Sequence, residues 1–485
     1  MADSFSLVTA PWIKVESSPR LSLQDFFSAG EPPVLGGTPA ERFLAFRLLL
    51  AITQAAAAPQ DSSDLEELTA DELKAKVLEY LADHVTCFDL YDPEHPFLQY
   101  PQVVSEDKFI PTGDLCFGVC TGNATLLFDG NKTKPLEAAD EVYLLLQVLI
   151  LGLSGKKPDA KIVLAPGLSK KASSPASPSL GRGWLHSMPI GENIFETLRL
   201  NLISEEELGE DLFGYLSNGL GVAPWEKKPE SEIGPEAEAY AASLFGRLIP
   251  LSRFCHIVNG QMHMTSGIAY PTIEHGASDP SVSVRLVDKG KKFSAVYADT
   301  SRRPWRQVNA LFGFADSQEG CRILKLRAAD DGFCGVWCFG IKISEQAGEQ
   351  YFSGADGYVE EFYRLDENLE ESGFNNRYLH SLKEVDQISK TLYGCVSKYY
   401  DEMKAADIGK KMAISAQQSF WSACDPYGSA FVKACSDGTV SQFVSSFAKF
   451  AEEAYENVCP KARGRQLMAY IKCRPVLWKW MNFEK

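Results

Sequence analysis

The fold class is decided around the segment Gly335-Val-Trp-Cys-Phe-Gly-Ile-Lys-Ile343. It is a clear strand pattern that lies shortly before the patterns along the chain change from strand to helix. Its aromatic and β-branched residues are typical of a β-strand. Between about Phe254 and Phe352, similar short runs such as Val282–Val287 alternate with turns rich in glycine and aspartate. This alternation predicts a mixed or antiparallel sheet, and after about Gly357 it stops.

The C-terminal part of the chain carries helical patterns instead. They cover roughly Tyr358–Glu370, Tyr378–Met403, Met412–Ser436, Val440–Glu456 and Lys461–Met481. Glycine or proline separates several of these patterns, and aromatic residues recur in them at helical spacing, which is typical of a packed core. The sequence therefore predicts an α+β protein that ends in a separate helical bundle.

The N-terminal part contains clear helix signals of its own. A capping box at residues 38–41, with proline at the first helical position, predicts a helix from Pro39 to about Ala57. A second capping box at residues 69–72 predicts another helix start. The nearly continuous apolar run Leu136–Leu153 predicts a helix that lies under other elements.

The charge balance limits how the protein contacts nucleic acid. The chain has 485 residues and a formal net charge of −16, which argues against coating nucleic acid unaided, because phosphate neutralisation dominates such binding. Basic residues nevertheless concentrate in two places. These are Lys156, Lys157, Lys161, Lys170, Lys171 and Arg182, and then Arg285, Lys289, Lys291, Lys292, Arg302, Arg303 and Arg306. Such patches suit limited contact with nucleic acid by a protein that partners hold in place, and solvated surface is the alternative.

The sequence predicts a cytoplasmic protein without a membrane segment. The longest apolar run, Val142–Leu153, is shorter than the roughly 20 residues that a membrane-spanning helix needs. Residues 1–6 show neither the basic nor the apolar region of a signal peptide. The 12 cysteines are widely spread, which favours free thiols over a disulfide framework.

No catalytic motif is found, and we expect no catalytic residue, no cofactor and no metal. Phosphate-binding loops, nucleophile elbows and dinucleotide fingerprints are missing from the sequence. The only histidine grouping is His256, His263 and His275, where packed core residues are favoured over metal ligands. Asp92, Glu94 and His95 lie between prolines, which favours a structural turn.

Segments spread over the chain resemble, in order, the CasA family, the large subunit of the type I-E CRISPR Cascade surveillance complex. They are Ala10–Val15, Leu21–Phe26, Pro39–Ala57, Glu94–Gln99, Thr121–Phe128, Ala165–Gly167, Ser179–Gly183, Gly340–Ala347 and Ala416–Trp421. The resemblance implies a large mixed α/β N-terminal domain, residues 1–356, followed by a C-terminal four-helix bundle, residues 357–485. In this interpretation the N-terminal domain recognises DNA and docks one end of the guide RNA.

The function implied by this resemblance is DNA recognition without catalysis. Such a subunit recognises a short protospacer-adjacent motif (PAM) in double-stranded DNA and starts strand separation, so that the guide RNA can test the sequence. The implied partners are the other Cascade subunits with guide RNA, the DNA target, and a helicase-nuclease that is recruited in trans for antiviral defence. Two alternatives remain: an assembly scaffold without PAM recognition, and a metal-dependent enzyme that uses the region of His256 and His263.

Three elements of the family match residues of this chain. The family's DNA wedge matches Glu345, Gln346 and Ala347, where a polar side chain can replace base-pair hydrogen bonds as the first pair opens. The PAM loop matches Gly167, Lys170, Lys171 and Arg182. The loop near the guide end and the PAM matches Phe128, Asn131, Lys132 and Lys134. An ordinary hairpin turn is the alternative for the wedge.

Two departures from the family pattern bear on PAM recognition. The run of glycines that the family has in the PAM loop is absent, and Lys170 and Lys171 stand in its place. The family's minor-groove lysine aligns near Gly260, where this chain has no lysine. The shortened glycine motif favours the scaffold alternative.

Overall fold

The structure is a computed structural model. It describes residues 4–16, 19–115, 136–155, 157–166, 175–209, 216–271, 273, 279–289, 291–313, 320–330, 332–346, 349–352, 357–365 and 373–481, without the side chains of residues 344–352. The helices before the bundle are α1 (Leu23–Ser28), α2 (Pro39–Ala57), α3 (Ser62–Glu67), α4 (Ala70–Asp83), α5 (Ala138–Ile150), α6 (Ile194–Leu200), α7 (Glu205–Gly209), α8 (Pro235–Ala241), α9 (Leu244–Leu248), α10 (Val308–Phe312) and α11 (Arg322–Arg327).

The strands lie among these helices. They are β1 (Phe109–Pro111), β2 (His186–Ile190), β3 (Arg253–Val258), β4 (Gln261–Ser266), β5 (Val284–Val287), β6 (Lys292–Ala295), β7 (Gly335–Ile341), β8 (Ile343–Gln346), β9 (Glu349–Phe352) and β10 (Tyr358–Arg364). The bundle helices follow as α12 (Phe374–Glu402), α13 (Ala406–Cys424), α14 (Gly428–Asp437), α15 (Ser441–Val458) and α16 (Gly464–Cys473). The predicted α+β class, with a mixed helix and sheet part followed by C-terminal helices, is confirmed.

The predicted N-terminal helix signals are confirmed as caps. The Thr38 hydroxyl accepts from the backbone N–H of Glu41 at 3.3 Å, and the Glu41 carboxylate accepts from the Thr38 N–H at 2.8 Å. The same reciprocal cap precedes α4. The apolar run that starts at Leu136 forms α5, and most of its side chains are buried.

A three-stranded antiparallel sheet of order β10-β7-β2 forms the centre of the strand-rich part. All residues of β7 are buried, as its apolar sequence predicts. Helix α2 packs against this sheet, with Phe43 4.9 Å from Phe339 and Phe46 5.4 Å from Trp337 between ring centroids. A second antiparallel sheet has the order β1-β4-β3, and β5-β6 and β8-β9 are separate hairpins.

The helix expected from Tyr358 was wrong, because residues Tyr358–Arg364 form strand β10, which pairs with β7 along its whole length. Val359 and Tyr363 are buried while Tyr358 and Phe362 are exposed, so the segment alternates with the period of a strand. Pairing with a buried strand outweighs the helical preference of the adjacent glutamates 360 and 361. The division at residue 356 remains a proposal, and this strand favours a boundary between β10 and α12.

The bundle is built around the long helix α12, which contacts α13, α14, α15 and α16. The described residues contain five helices here, and the expected count of four is not confirmed. The pattern predicted as one helix over Met412–Ser436 is two helices, because Pro426 lies in a 3-10 turn between α13 and α14. Most buried hydrophobic residues of bundle and sheets form one contiguous core, and Trp184, Val282 and Ala295 form a separate small cluster.

Two further observations concern the described residues as a whole. Ten of the cysteines are described, and all of them are free thiols, as predicted. Within the described ranges, no helix combines the length and the apolar character that crossing a membrane requires.

Candidate nucleic-acid interface

A β-hairpin continues the central sheet at the position matched to the DNA wedge. Strand β8 starts two residues after β7 ends, and it pairs with β9 from Ile343↔Phe352 to Gln346↔Glu349. Ala347 lies outside the described residues, and of Glu345 and Gln346 only the backbone is described. The predicted hairpin is therefore present, and its role as a wedge stays a prediction.

The structure places Arg182 and Gly183 at the root of this hairpin. The backbone N–H of Ala298 donates to the Gly183 carbonyl at 2.9 Å. Gly183 has a φ of +73°, and a Cβ on it would lie 3.3 Å from Ile343 Cγ1 and 3.4 Å from the Ile341 carbonyl oxygen. Two of the elements matched to DNA contacts, distant in sequence, thus lie next to each other in the fold.

Cationic and aromatic side chains surround the hairpin root. Arg182 is half-buried, forms no ion pair with a described residue, and burial lowers its pKa, with the Tyr297 hydroxyl acting in the opposite direction. Tyr297 is itself half-exposed and forms an isolated bridge with Trp184. Lys342 Nζ lies 3.8 Å from Asp299 Oδ1. Cations bind phosphates and an exposed aromatic ring can stack on a base, so this surface suits nucleic acid. The sequence did not single out Tyr297, because nothing there distinguishes it from the other strand-forming residues around it.

Both ends of the segment matched to the PAM loop are described, although Gly167, Lys170 and Lys171 lie outside the described residues. Before it, the backbone N–H groups of Leu164 and Ala165 donate to the two carboxylate oxygens of Glu232, at 3.0 and 2.8 Å. After it, the Arg253 guanidinium donates to the Pro175 carbonyl at 2.7 Å. The segment is thus held on both sides by buried charged side chains.

The residues that follow this segment are packed tightly onto the end of α5. Ser177 donates from its N–H to the Gly152 carbonyl at 2.7 Å, and from its hydroxyl to the Leu149 carbonyl at 2.8 Å. Gly181 also lies against the Gly152 carbonyl, and a Cβ on Gly181 would be only 2.6 Å from the Gly152 oxygen. Only glycine fits at this contact, which fixes the path of the chain toward Arg182.

A buried polar network attaches the turn at Ser179 to strand β2. His186 lies between Ser179 and Ser281, with Nε2 3.1 Å from the first hydroxyl and Nδ1 2.8 Å from the second. The Ser281 hydroxyl donates to Asp279 at 2.6 Å, so it accepts from Nδ1–H, and Ser179 donates to Nε2. Burial lowers the pKa of His186 to about 3, which keeps the ring neutral. The side chain is fully buried, so this serine–histidine–aspartate chain is a structural element without access for a substrate.

The loop matched to the guide end, with Phe128, Asn131, Lys132 and Lys134, lies outside the described residues. Its assignment remains a prediction.

The members of the second basic cluster differ in their exposure to solvent. Arg285, Lys289 and Lys291 are exposed on the β5-β6 hairpin. Arg306 is buried instead, with its guanidinium carbon 4.2 Å from the centroid of the Trp421 ring. Its inclusion in a solvent-facing basic patch was wrong, because it packs between the strand-rich part and the bundle.

The histidine grouping has no metal-binding geometry among the described residues. His256 faces His263 across β3 and β4, and the Ser105 backbone N–H donates to His263 Nδ1 at 3.1 Å. No group of three His, Cys, Asp or Glu side chains within the described part of the chain is arranged to hold a metal ion, and His275 lies outside that part. Asp92 accepts from the backbone N–H groups of Glu94 and His95 at 2.9 and 2.6 Å, which confirms the predicted structural turn.

Comparisons with known proteins agree on one family. A sequence profile described as CRISPR-associated protein Cse1 matches residues 6–459. The fold is similar to Thermobifida fusca Cse1 (TM-score 0.75, 19% identity, 98% of each chain covered) and to Thermus thermophilus CasA, also described as Cse1 (0.71, 18%, 99% of each chain). It is also similar to a chain of a CRISPR RNA-guided surveillance complex (0.72, 19%, 98% of this chain and 100% of that one). No curated protein sequence is significantly similar to this chain.

Proposed function

Since the chain belongs to the CRISPR-associated Cse1 family, we propose that it is the large subunit of a type I-E RNA-guided surveillance complex. In that complex it recognises the PAM in double-stranded DNA and starts strand separation beside it. The similarity to a chain of an RNA-guided surveillance complex over nearly the whole length supports this role.

The DNA-binding part of the proposal is supported mainly by one observation. The hairpin matched to the family's wedge and Arg182, matched to its PAM loop, lie next to each other in the fold. The β8-β9 hairpin projects from the end of the central sheet, and Arg182-Gly183 packs against its root. A loop that reads the groove and a hairpin that enters the duplex have to act on neighbouring base pairs. Their adjacency is what PAM reading followed by strand opening requires.

The proposed role is one of binding rather than bond cleavage. The serine–histidine–aspartate chain at His186 is fully buried, so it offers nothing to a substrate. We propose that guide RNA and the other Cascade subunits assemble with this chain in the cytoplasm, and that a helicase-nuclease recruited in trans cleaves the DNA. Phe128, Asn131, Lys132 and Lys134 are proposed to lie near the guide end.

The scaffold alternative differs from this proposal in one measurable property. The complex is reconstituted with guide RNA and offered target duplexes whose flanking sequence is randomised. We expect enrichment of one short flanking motif among the bound duplexes, and loss of that enrichment when this chain is left out. Binding that is independent of the flanking sequence would favour the assembly scaffold without PAM recognition.

A further inference from the structure

An exposed aromatic ring lies in an otherwise buried stretch beside the root of the β8-β9 hairpin. Ala295, Val296 and Ala298 are buried, whereas the Tyr297 side chain among them is 49% exposed. A single exposed aromatic residue is common on protein surfaces and needs no explanation by itself. Tyr297 differs because its backbone is held in place and because a cation without a carboxylate partner lies close to it.

The backbone around Tyr297 is fixed to the strands that carry the hairpin. The Ala298 N–H donates to the Gly183 carbonyl at 2.9 Å, and Tyr297 itself forms a bridge with Trp184. Ala298 also lies against β7, since a Cβ on Gly340 would be only 2.8 Å from the Ala298 Cβ. Strand β8 begins two residues after β7 ends, so the exposed ring of Tyr297 has a fixed place beside the hairpin root.

Two cations lie near this ring. Arg182 precedes Trp184, the bridge partner of Tyr297, by two residues. Burial lowers the pKa of Arg182 and the nearby Tyr297 hydroxyl raises it, while no described carboxylate pairs with the guanidinium. Lys342, which lies between β7 and β8, has its Nζ 3.8 Å from Oδ1 of Asp299. A guanidinium that is not neutralised by a carboxylate is suited to bind a phosphate.

Strand separation leaves only one DNA strand without new partners. The guide RNA pairs with the target strand, so the bases of that strand regain hydrogen bonds and stacking. The displaced strand regains neither, and its first unpaired base lies where the duplex opens, next to the hairpin. An aromatic ring can stack on any base, so it can hold this nucleotide whatever the target sequence is.

We propose that Tyr297 and Arg182 form a binding site for the first nucleotide of the displaced DNA strand. The Tyr297 ring stacks on the unpaired base, and the Arg182 guanidinium binds the adjoining phosphate. The inference rests on the proposed function, since only a subunit that opens the duplex meets such a nucleotide. It deepens that function by naming the strand that is held and the two side chains that hold it.

The test removes the ring and the base separately. Tyr297→Ala removes the ring, Tyr297→Phe keeps it, and Tyr427→Ala is the matched control, because Tyr427 is a tyrosine of similar exposure (46%) next to α14. Three target duplexes share one flanking sequence. The first is intact, the second has an abasic nucleotide at the first position of the displaced strand, and the third has it at the opposite position of the target strand. The readout is the affinity of the reconstituted complex for each duplex.

We expect Tyr297→Ala to lower the affinity for the intact duplex by about tenfold, the scale of one base–aromatic stack. On the duplex with an abasic displaced strand, this variant should bind as tightly as wild type, because no base is left to stack. On the duplex with an abasic target strand, its loss should persist. Tyr297→Phe should restore wild-type binding to within about twofold, and Tyr427→Ala should match wild type on all three duplexes.

Three outcomes would overturn the inference. Equal losses by Tyr297→Ala on all three duplexes would show that the ring acts through folding or docking. A loss that disappears only when the target strand is abasic would assign the contact to the other strand, and no loss on any duplex would remove the contact altogether. Failure of the proposed function is a separate result, because the wild-type complex would then bind without regard to the flanking sequence.

The part assigned to Arg182 is tested through its charge. Arg182→Gln should lower the slope of log affinity against log salt by about 0.7, the contribution of one phosphate of a single strand. Arg364→Gln is the control, because Arg364 is exposed at the end of β10 that is farther from the hairpin. An unchanged slope in Arg182→Gln, or the same decrease in Arg364→Gln, would show that Arg182 does not bind this phosphate.

Discussion

The indole Nε1 of Trp305 donates a 2.9 Å hydrogen bond to Oδ1 of Asp425, which joins the strand-rich part of the chain to the bundle. Trp305 is fully buried, and its ring lies 5.3 Å from Phe431 and 6.0 Å from Phe447 between centroids. The Tyr378 hydroxyl donates to the Trp305 carbonyl at 2.8 Å. Trp305 therefore packs in the core that the strand-rich part shares with the bundle.

The fit of Trp305 against α14 can be tested with one methyl group. A Cβ on Gly428 would lie 2.4 Å from Trp305 Cδ1, so Gly428→Ala should lower the free energy of unfolding by about 1–3 kcal/mol. Gly394→Ala in α12 is the control, because nothing lies within 4 Å of its added Cβ. That variant should gain about 0.5–1 kcal/mol from helix propensity. Urea denaturation of both variants measures the difference, and equal stabilities would contradict the close packing.

Glu361 should make stability depend on pH. Burial raises the pKa of Glu361 to about 7 from an ordinary 4.5, with Arg303 acting against the rise and Asp425 adding to it. The folded protein thus holds a proton that the unfolded chain releases, so this group's stabilisation is complete below about pH 4.5 and is lost as the pH rises to about 7.

Glu361→Gln imitates the protonated form and should remove that dependence. We expect the variant to gain stability relative to wild type as the pH rises from 5 to 8, measured as the difference in unfolding free energy at each pH. A difference that stays constant over this range would show that Glu361 titrates normally.

Lys170 and Lys171 are expected to bind phosphate in the assembled complex. Replacing both with alanine should weaken target binding and lower the slope of log affinity against log salt by about 0.9 for each phosphate that is no longer neutralised. Lys410→Ala with Lys411→Ala, an exposed pair on α13, is the control and should change neither quantity. Unchanged affinity and slope in the Lys170→Ala, Lys171→Ala variant would show that these lysines do not contact phosphate.

Gln346 is expected to act only while the first base pair opens. Gln346→Ala should slow the formation of the guide–target hybrid on fully paired DNA, and a target with a mismatched bubble beside the PAM should largely rescue it. We expect the free energy of unfolding to change by less than about 0.5 kcal/mol. Equal defects on both substrates would indicate impaired docking, and no defect on either would leave the hairpin as an ordinary turn.

The sequence predicted the features that local patterns determine. The cap at Thr38, the buried helix after Leu136 and the strand β7 follow from spacing and composition alone. Strand β10 was missed because its adjacent glutamates favour a helix, and only pairing with β7 overrides that preference.

The site could be predicted only in part, for a physical reason. Resemblance located the hairpin and Arg182, but the side chains that contact the described ends of the segment matched to the PAM loop come from distant residues. Glu232 is 68 residues from Leu164, and Arg253 is 78 residues from Pro175. No periodicity or spacing links such pairs, because their hydrogen bonds join a side chain to a backbone group that every residue has.

That dependence on backbone groups means that the contacts on either side of residues 166–174 do not select particular side chains at Leu164, Ala165 or Pro175. Glu232 and Arg253 hold Leu164, Ala165 and Pro175 through N–H and C=O groups, whatever the side chains between them are. A foreign stretch of similar length can therefore be grafted there without redesigning the body of the protein, and doubling its length adds only about 0.6 kcal/mol of closure cost.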